Sequence, residues 1–377
     1  MNFSALDRYL DHLIADCGIP FLDVAVHQDG KPIYRRGVGH PGVEGKRTVR
    51  GNETIWLFSC TKMATCFAAL RLIAEGKLSL SDPVSRYLPS FAHLTVRRPD
   101  GSVTPAENVM TVEHLFTMTG GLGYDLATPA IRQALEDGAQ STVEVVSAFA
   151  KDPLWFEPGT DYRYSLCHDV LAAIVEIVSG MRFSEYLRKY FFDPLGMSDT
   201  GFVPNDEQTA RFANYFFYHA GTRSWSEYPC KNRFILAPGY ESGGAGLFST
   251  VDDYIKLLSA VACGGVTPEG ERLLPAECIP MMQENRLPPR ALDHFVTTRL
   301  YGYGWGLCGR VHSFPEVGCS RSPKGEFGWD GAAASFGMVD PENRLALMLG
   351  TQLTGGNFLY HVVHPEVRNL VYDALRG

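Results

Sequence analysis

Apolar and polar positions alternate in short blocks near both ends of this chain and recur at helical spacing through its middle. The opening MNFSALDRYLDHLIADCGIP sets Asp7, Asp11 and Asp16 among apolar positions, the pattern of an amphipathic helix, with neither the basic leader nor the unbroken apolar core of a secretion signal. FLDVAVHQDGKPIYRRGVG then gives two alternating segments joined at Asp29-Gly30, which predicts a hairpin. In WLFSCTKMATCFAALRLIAEGK the apolar positions Met63, Cys66, Phe67, Leu70 and Ile73 predict a helix that Gly76 stops. From about residue 81 to 235 helical patterns such as TVEHLFTM and HDVLAAIVEIVSG dominate, separated by Pro- and Gly-rich connections. Ser249 and Thr250 ahead of Asp252 and Asp253 predict the cap of a further helix. YGYGWGLCGRV, AAASFGMVD and RLALMLGTQ read as strands, and HPEVRNLVYDALRG as a terminal helix. Strands at both ends around a helical middle predict an α/β domain built from 1–80 together with 236–377, and an inserted, mostly helical domain over 81–235.

Composition narrows the class without naming it. The 377 residues, 45% hydrophobic and 20% charged, suffice for a large buried core with no help from metals or disulfides. A net charge of −8 without a Lys/Arg run argues against a nucleic-acid or anionic-membrane partner, and no apolar run approaches the roughly 20 residues that span a bilayer. Nine cysteines without CxxC pairs suit free thiols in a reducing cytoplasm. The partner expected is a small molecule, and a homo-oligomer stays open.

Three stretches carry candidate chemistry. A serine hydroxyl needs a base within reach and donors for a developing oxyanion before it acts as a nucleophile. Ser59 precedes Lys62 by three residues, so both share one helix face at a helix start, where backbone N–H groups lack partners. Serine is equally ordinary at helix starts and lysine on helix surfaces, so the spacing permits chemistry without demanding it. In FEPGTDYRYSLCHDV, Tyr164 and Ser165 fall in a polar turn ahead of an apolar helix; a tyrosine beside a lysine can serve as a general base, but with 17 tyrosines core packing is as good a reading. In GEFGWDGAAASFGMVD, Trp329-Asp330-Gly331 precedes a run of alanines read as strand, where a backbone N–H can complete an oxyanion hole.

SCTK, LSLSDPVSRYLP, TVEHLFTMTGGL, FEPGTDYRYS, GGAGLFSTVDDY and GWDGA, in this order, resemble the serine β-lactamase and penicillin-binding superfamily, nearest to its class C-like branch and the family VIII carboxylesterases. Tyr164 lies 105 residues beyond Ser59, a separation that fits the family. The resemblance implies a β-lactamase/transpeptidase-like α/β fold, an antiparallel sheet flanked by helices. It implies Ser59 as the acylated nucleophile, Lys62 as its partner, and Tyr164 as the tyrosine of a Tyr-x-Asn element. Trp329 to Gly331 stand in the place of Lys-Thr-Gly, and the backbone N–H groups of Ser59 and Ala332 would form the oxyanion hole. No cofactor or metal is implied. The sequence leaves open which of Lys62 and Tyr164 takes the Ser59 proton; Tyr164, held ionised or strongly polarised by Lys62, is the expected base.

The departures bear on substrate. Trp329 replaces a carboxylate-binding lysine and Leu166 an amide-contacting asparagine, which disfavours β-lactams and peptidoglycan stems and favours a neutral or apolar ester. Trp329, Asp330, Gly331 and Leu166 are the candidate substrate contacts, with Asp330 expected to point into solvent. The aromatic-rich 210–240 segment is expected to border the cleft, and ESGGAG to lie near it. No Gly-x-Ser-x-Gly elbow is present. Cys60, about 100° round the helix from Ser59, reads as packing, as does Met118. Cys167 and His168 are too near in sequence to face each other, His114 suits the polar side of a helix, and His361 and His364 read as exposed surface residues rather than metal ligands.

Overall fold

The computed structural model describes all residues except 43–47, 230 and 297–299. Helix α1 (Ser4–Ala15) buries Leu6, Leu10 and Leu13, and the hairpin follows as β1 (Phe21–Gln28) and β2 (Lys31–Gly39). Asp29 and Gly30 take φ values of 51° and 76°, the left-handed pair that a tight two-residue turn requires.

Helix α2 (Thr61–Ala74) is buried on nearly every side, from Thr61 through Leu70 and again at Leu72. A helix enclosed all round lies in a protein interior, so Lys62 sits inside rather than on a surface turn. Helix α3 (Cys167–Ser179) ends at Gly180, whose φ of 67° caps it. The stretch expected to be mostly helical also contains a hairpin, β3 (Tyr215–His219) with β4 (Ser224–Tyr228), to which Leu353–Thr354 adds in parallel. Aromatic residues with largely alternate burial favour strand there over helix: Tyr215, Phe216 and Tyr218 point inward while Phe217 and His219 point out.

Thr250 caps α4 (Val251–Ala262) by accepting from Asp253 N–H at 3.1 Å. The remaining strands are β5 (Tyr303–Gly306), β6 (Gly309–His312), β7 (Phe327–Asp330), β8 (Phe336–Asp340) and β9 (Leu345–Gly350), followed by α5 (His364–Arg376). With the N-terminal hairpin they form a seven-stranded sheet in the order β2-β1-β9-β8-β7-β6-β5, every neighbour antiparallel. The antiparallel α/β architecture is therefore as expected, and α4 packs on β9, β8 and β1. The alanine run is a correction: Ala332 to Ser335 turn between β7 and β8, with Ala334 at φ 62°, and strand resumes only at Phe336. Among the described residues no helix is long and apolar enough to cross a membrane.

Candidate active site

A short strand, Ile55–Trp56, runs into one 3-10 turn, Phe58–Cys60, from which α2 starts. Phe58 adopts φ 45°, unusual for a residue with a side chain and costing about 1–3 kcal/mol. Its ring is wedged against Tyr215 and Phe234, with centroids 5.9 and 6.0 Å away. This packing offsets the strain and sets the turn so that Ser59 lines the cleft. One helical turn on, Lys62 Nζ donates to Ser59 Oγ at 3.1 Å, to Gly244 O at 2.7 Å and to Tyr124 Oη at 3.4 Å. Gly244 belongs to ESGGAG, so that loop reaches the cleft floor. Cys60 is fully buried, its Sγ 3.4 Å from Trp329 O, as packing requires.

Tyr164 lies across from this pair, its ring centroid 4.7 Å from Lys62 Nζ, and its oxygen accepts from Trp329 Nε1 at 2.8 Å. Burial raises its phenol pKa above the ordinary 10.0, and hydrogen bonds from Ser59 and Trp329 offset this only in part. As to the expectation that Lys62 holds Tyr164 ionised or strongly polarised, burial works against the ionised form. Tyr124 stacks on Tyr164 at 5.3 Å and 9°, and burial pushes it up to about 12 against the opposing charge of Lys62. Sequence reasoning missed Tyr124. Its one signal is an aromatic residue directly after the Gly-Gly-Leu-Gly turn, just beyond TVEHLFTMTGGL.

Strand β7 closes the other wall. The backbone N–H groups of Ser59 and Ala332 donate to no described residue. A side chain at Gly331 would collide with Leu57 O and Ser335 Oγ, which explains the glycine where this turn meets the strand leading to Ser59. Trp329 packs edge-on against Trp305 at 4.5 Å, so its indole is fixed while its N–H holds Tyr164.

Asp330 is half-buried rather than open to solvent, and with Gly331 it also lines the cleft over Ser59. Its Oδ1 meets His364 Nδ1 at 3.0 Å with Arg310 Nη1 4.0 Å away, and His364 is only 2% exposed, which corrects the surface reading of that histidine; His361 is exposed. The side chain at a strand end follows the pleat, and here the pleat turns it under α5. Burial alone would raise the Asp330 pKa, but the His364 hydrogen bond and the Arg310 charge outweigh it and leave the carboxyl below its usual 3.8. A lowered carboxyl pKa adds stability that is present above the unfolded-state value and is lost as pH falls through the folded value. Asp330→Asn is expected to cost about 1–3 kcal/mol at pH 7, with the melting-temperature gap to wild type narrowing below about pH 4. A gap equal at pH 7 and pH 3 would show that charge is not the cause.

The cleft over Ser59 has a volume of about 390 Å³ and is walled largely by Tyr124, Tyr162, Tyr164, Phe234, Trp329 and Tyr360, with Arg233 and His361 also lining it. The 210–240 segment contributes Arg233 and Phe234. Leu166 lies elsewhere: it lines a neighbouring cavity of about 320 Å³ with Tyr124, Trp155 and Arg163, because the start of α3 turns it behind Tyr124. His114 is partly buried and caps its own short helix, accepting from Thr111 N–H at 3.2 Å. The eight described cysteines are free, and no cluster of three or more metal-ligating side chains occurs among the described residues.

Sheet order, the Ser59–Lys62 turn and the β7 wall together define a β-lactamase-like fold, and a family model described as Beta-lactamase matches residues 6–371. The chain belongs to the β-lactamase family and is a serine hydrolase of that superfamily. Esterase EstB of Burkholderia gladioli is 31% identical over 374 residues, covering 92% of this chain and 90% of its own length. Among solved structures, EstCE1, a hydrolase with promiscuous acyltransferase activity, matches with TM-score 0.79 and 25% identity over 100% of this chain and 98% of that one. Simvastatin synthase (LovD) from Aspergillus terreus shares the fold, with TM-score 0.81 at 20% identity over 100% and 99% of the two chains.

Proposed function

We propose that this protein is a cytoplasmic carboxylesterase that forms an acyl-enzyme on Ser59 with small or apolar esters. The observation that carries the reading is the 3.1 Å contact of Lys62 Nζ with Ser59 Oγ at the base of an aromatic cleft that has Trp329 where a cation would bind a substrate carboxylate. Ser59 Oγ attacks the ester carbonyl carbon, and the N–H groups of Ser59 and Ala332 hold the resulting oxyanion. A phenol that is neutral at rest accepts the Ser59 proton only as it passes its own onward, so Tyr164 relays it to the departing alkoxide. The Lys62 charge stabilises phenolate character in between. Water then attacks the acyl carbon by the same route in reverse. Here Tyr124 and Tyr164 come from the 81–235 unit, while Ser59, Lys62 and β7 come from the unit of 1–80 and 236–377.

Amide hydrolysis or acyl transfer uses the same groups and differs in what enters the cleft. The exposed mouth, lined by Arg233 and His361, suits an ester's alcohol portion. Initial rates on a p-nitrophenyl ester series from acetate to octanoate, beside D-phenylalanine amide and nitrocefin, separate these readings. Ester turnover exceeding amide and β-lactam turnover by at least about 100-fold is expected; turnover confined to the amide would replace the esterase reading.

A further inference from the structure

Close to Lys62, the first turn of α3 places a carboxylate that the chemistry above does not use. Asp169 is 1% exposed. Its Oδ1 accepts from Tyr240 Oη at 2.7 Å and Ser242 Oγ at 2.6 Å, whereas its buried Oδ2 has no hydrogen-bond partner. That free oxygen is aimed at Gly244: a Cβ built there would collide with Asp169 Oδ2 on one side and lie 3.4 Å from Lys62 Nζ on the other. Carboxylate and ammonium therefore both lie against one glycine, and that glycine's carbonyl is itself bonded to Lys62 at 2.7 Å. The described hydrogen-bond partners of Lys62, namely Ser59, Tyr124 and Gly244, are all neutral.

We propose that Asp169 is a positioning residue for acylation, the buried counter-charge that holds Lys62 on Ser59 in its charged form while Tyr164 relays the Ser59 proton. This rests on the reading of Ser59 and Lys62 as the acylation pair. An uncompensated ammonium inside a protein is costly, and a carboxylate just beyond hydrogen-bond reach offsets that cost without competing with Ser59 for a donor. The other titratable groups that face the two are Tyr124, Tyr164, Tyr240, His168, Cys66 and Cys167. Burial keeps the three phenols, the Cys167 thiol and the His168 imidazole uncharged near neutral pH. Cys66 sits against His168 Nε2 at 3.1 Å. The arrangement also accounts for ESGGAG, because any residue larger than glycine at position 244 would push the two charges apart.

Asp169→Asn keeps the shape and the acceptor for Tyr240 and Ser242 but removes the charge. It is expected to lower kcat on a p-nitrophenyl ester about 100-fold with little change in KM. Without the carboxylate Lys62 loses its charge more readily, so the descending limb of kcat/KM against pH moves to lower pH by about one pH unit. Tyr240→Phe is the structural control: it removes a hydrogen bond to Asp169 and keeps the charge, so the melting temperature falls while the pH profile stays in place. The proposal is overturned if Asp169→Asn folds and keeps the wild-type profile, or if Tyr240→Phe shifts the limb equally. Fluorophosphonate labelling of wild-type Ser59, read by intact mass, tests the acylation reading separately, so the two can fail independently.

Discussion

Ser59→Ala is expected to abolish ester hydrolysis, lowering kcat on the order of 10⁶-fold, and to leave the fold unchanged. The hydroxyl contributes little to stability. Lys62 retains Gly244 O and Tyr124 as partners when Ser59 Oγ is gone, and the turn is held by Phe58 packing and by Leu57 N–H on Leu247 O at 2.9 Å. Nothing adjacent can take over as nucleophile. Cys60 is turned into the β7 wall, and burial pushes its thiol up to about 12, so thiolate is scarce at neutral pH. Initial rates on p-nitrophenyl butyrate and intact mass after fluorophosphonate treatment check this together. Retained labelling in the mutant would move the nucleophile to another serine.

Tyr164→Phe carries the second large effect, a fall in kcat of about 10³-fold at nearly constant KM. The ring stays, with its stacking on Tyr124 and its contacts to Trp305 and Trp329, so the folded state loses only the hydroxyl and leaves Trp329 Nε1 without its acceptor. That loss costs about 1–3 kcal/mol of stability, which a thermal melt separates from the rate. Tyr124→Phe removes the longer 3.4 Å contact to Lys62 and a hydrogen bond with Ser59, and is expected to cost about tenfold. If the two effects are reversed in size, the relay runs through Tyr124 and Tyr164 is the packing partner.

The legible parts of the fold were those decided within a few residues. Asp29-Gly30 announces its hairpin because only a left-handed pair closes it, Thr250 announces a helix through its own side chain, and Gly76 takes φ 69° at the end of α2. The hairpin inside the 81–235 stretch was hidden because its partner strand, Leu353–Thr354, comes from the far end of the chain. Asp330 and His364 were misread for a related reason. Each looks polar and exposed by composition, but they bury each other, and only a pair can be buried at acceptable cost.

By itself the sequence determined the Ser59–Lys62 pair, since residues three apart on a helix must share a face, and it determined the order of the motifs that identify the family. Tertiary structure decided everything that depends on distant segments meeting. It supplied Tyr124 as well as Tyr164, raised the Tyr164 phenol pKa by burial, and moved Leu166 out of the cleft into a neighbouring cavity. It tied Trp329 to a phenol and turned Asp330 inward. It also set Asp169 and Lys62 against the same glycine, Gly244. Side-chain pKa and orientation are properties of packing and local dielectric, and those exist only once the chain has closed around the site.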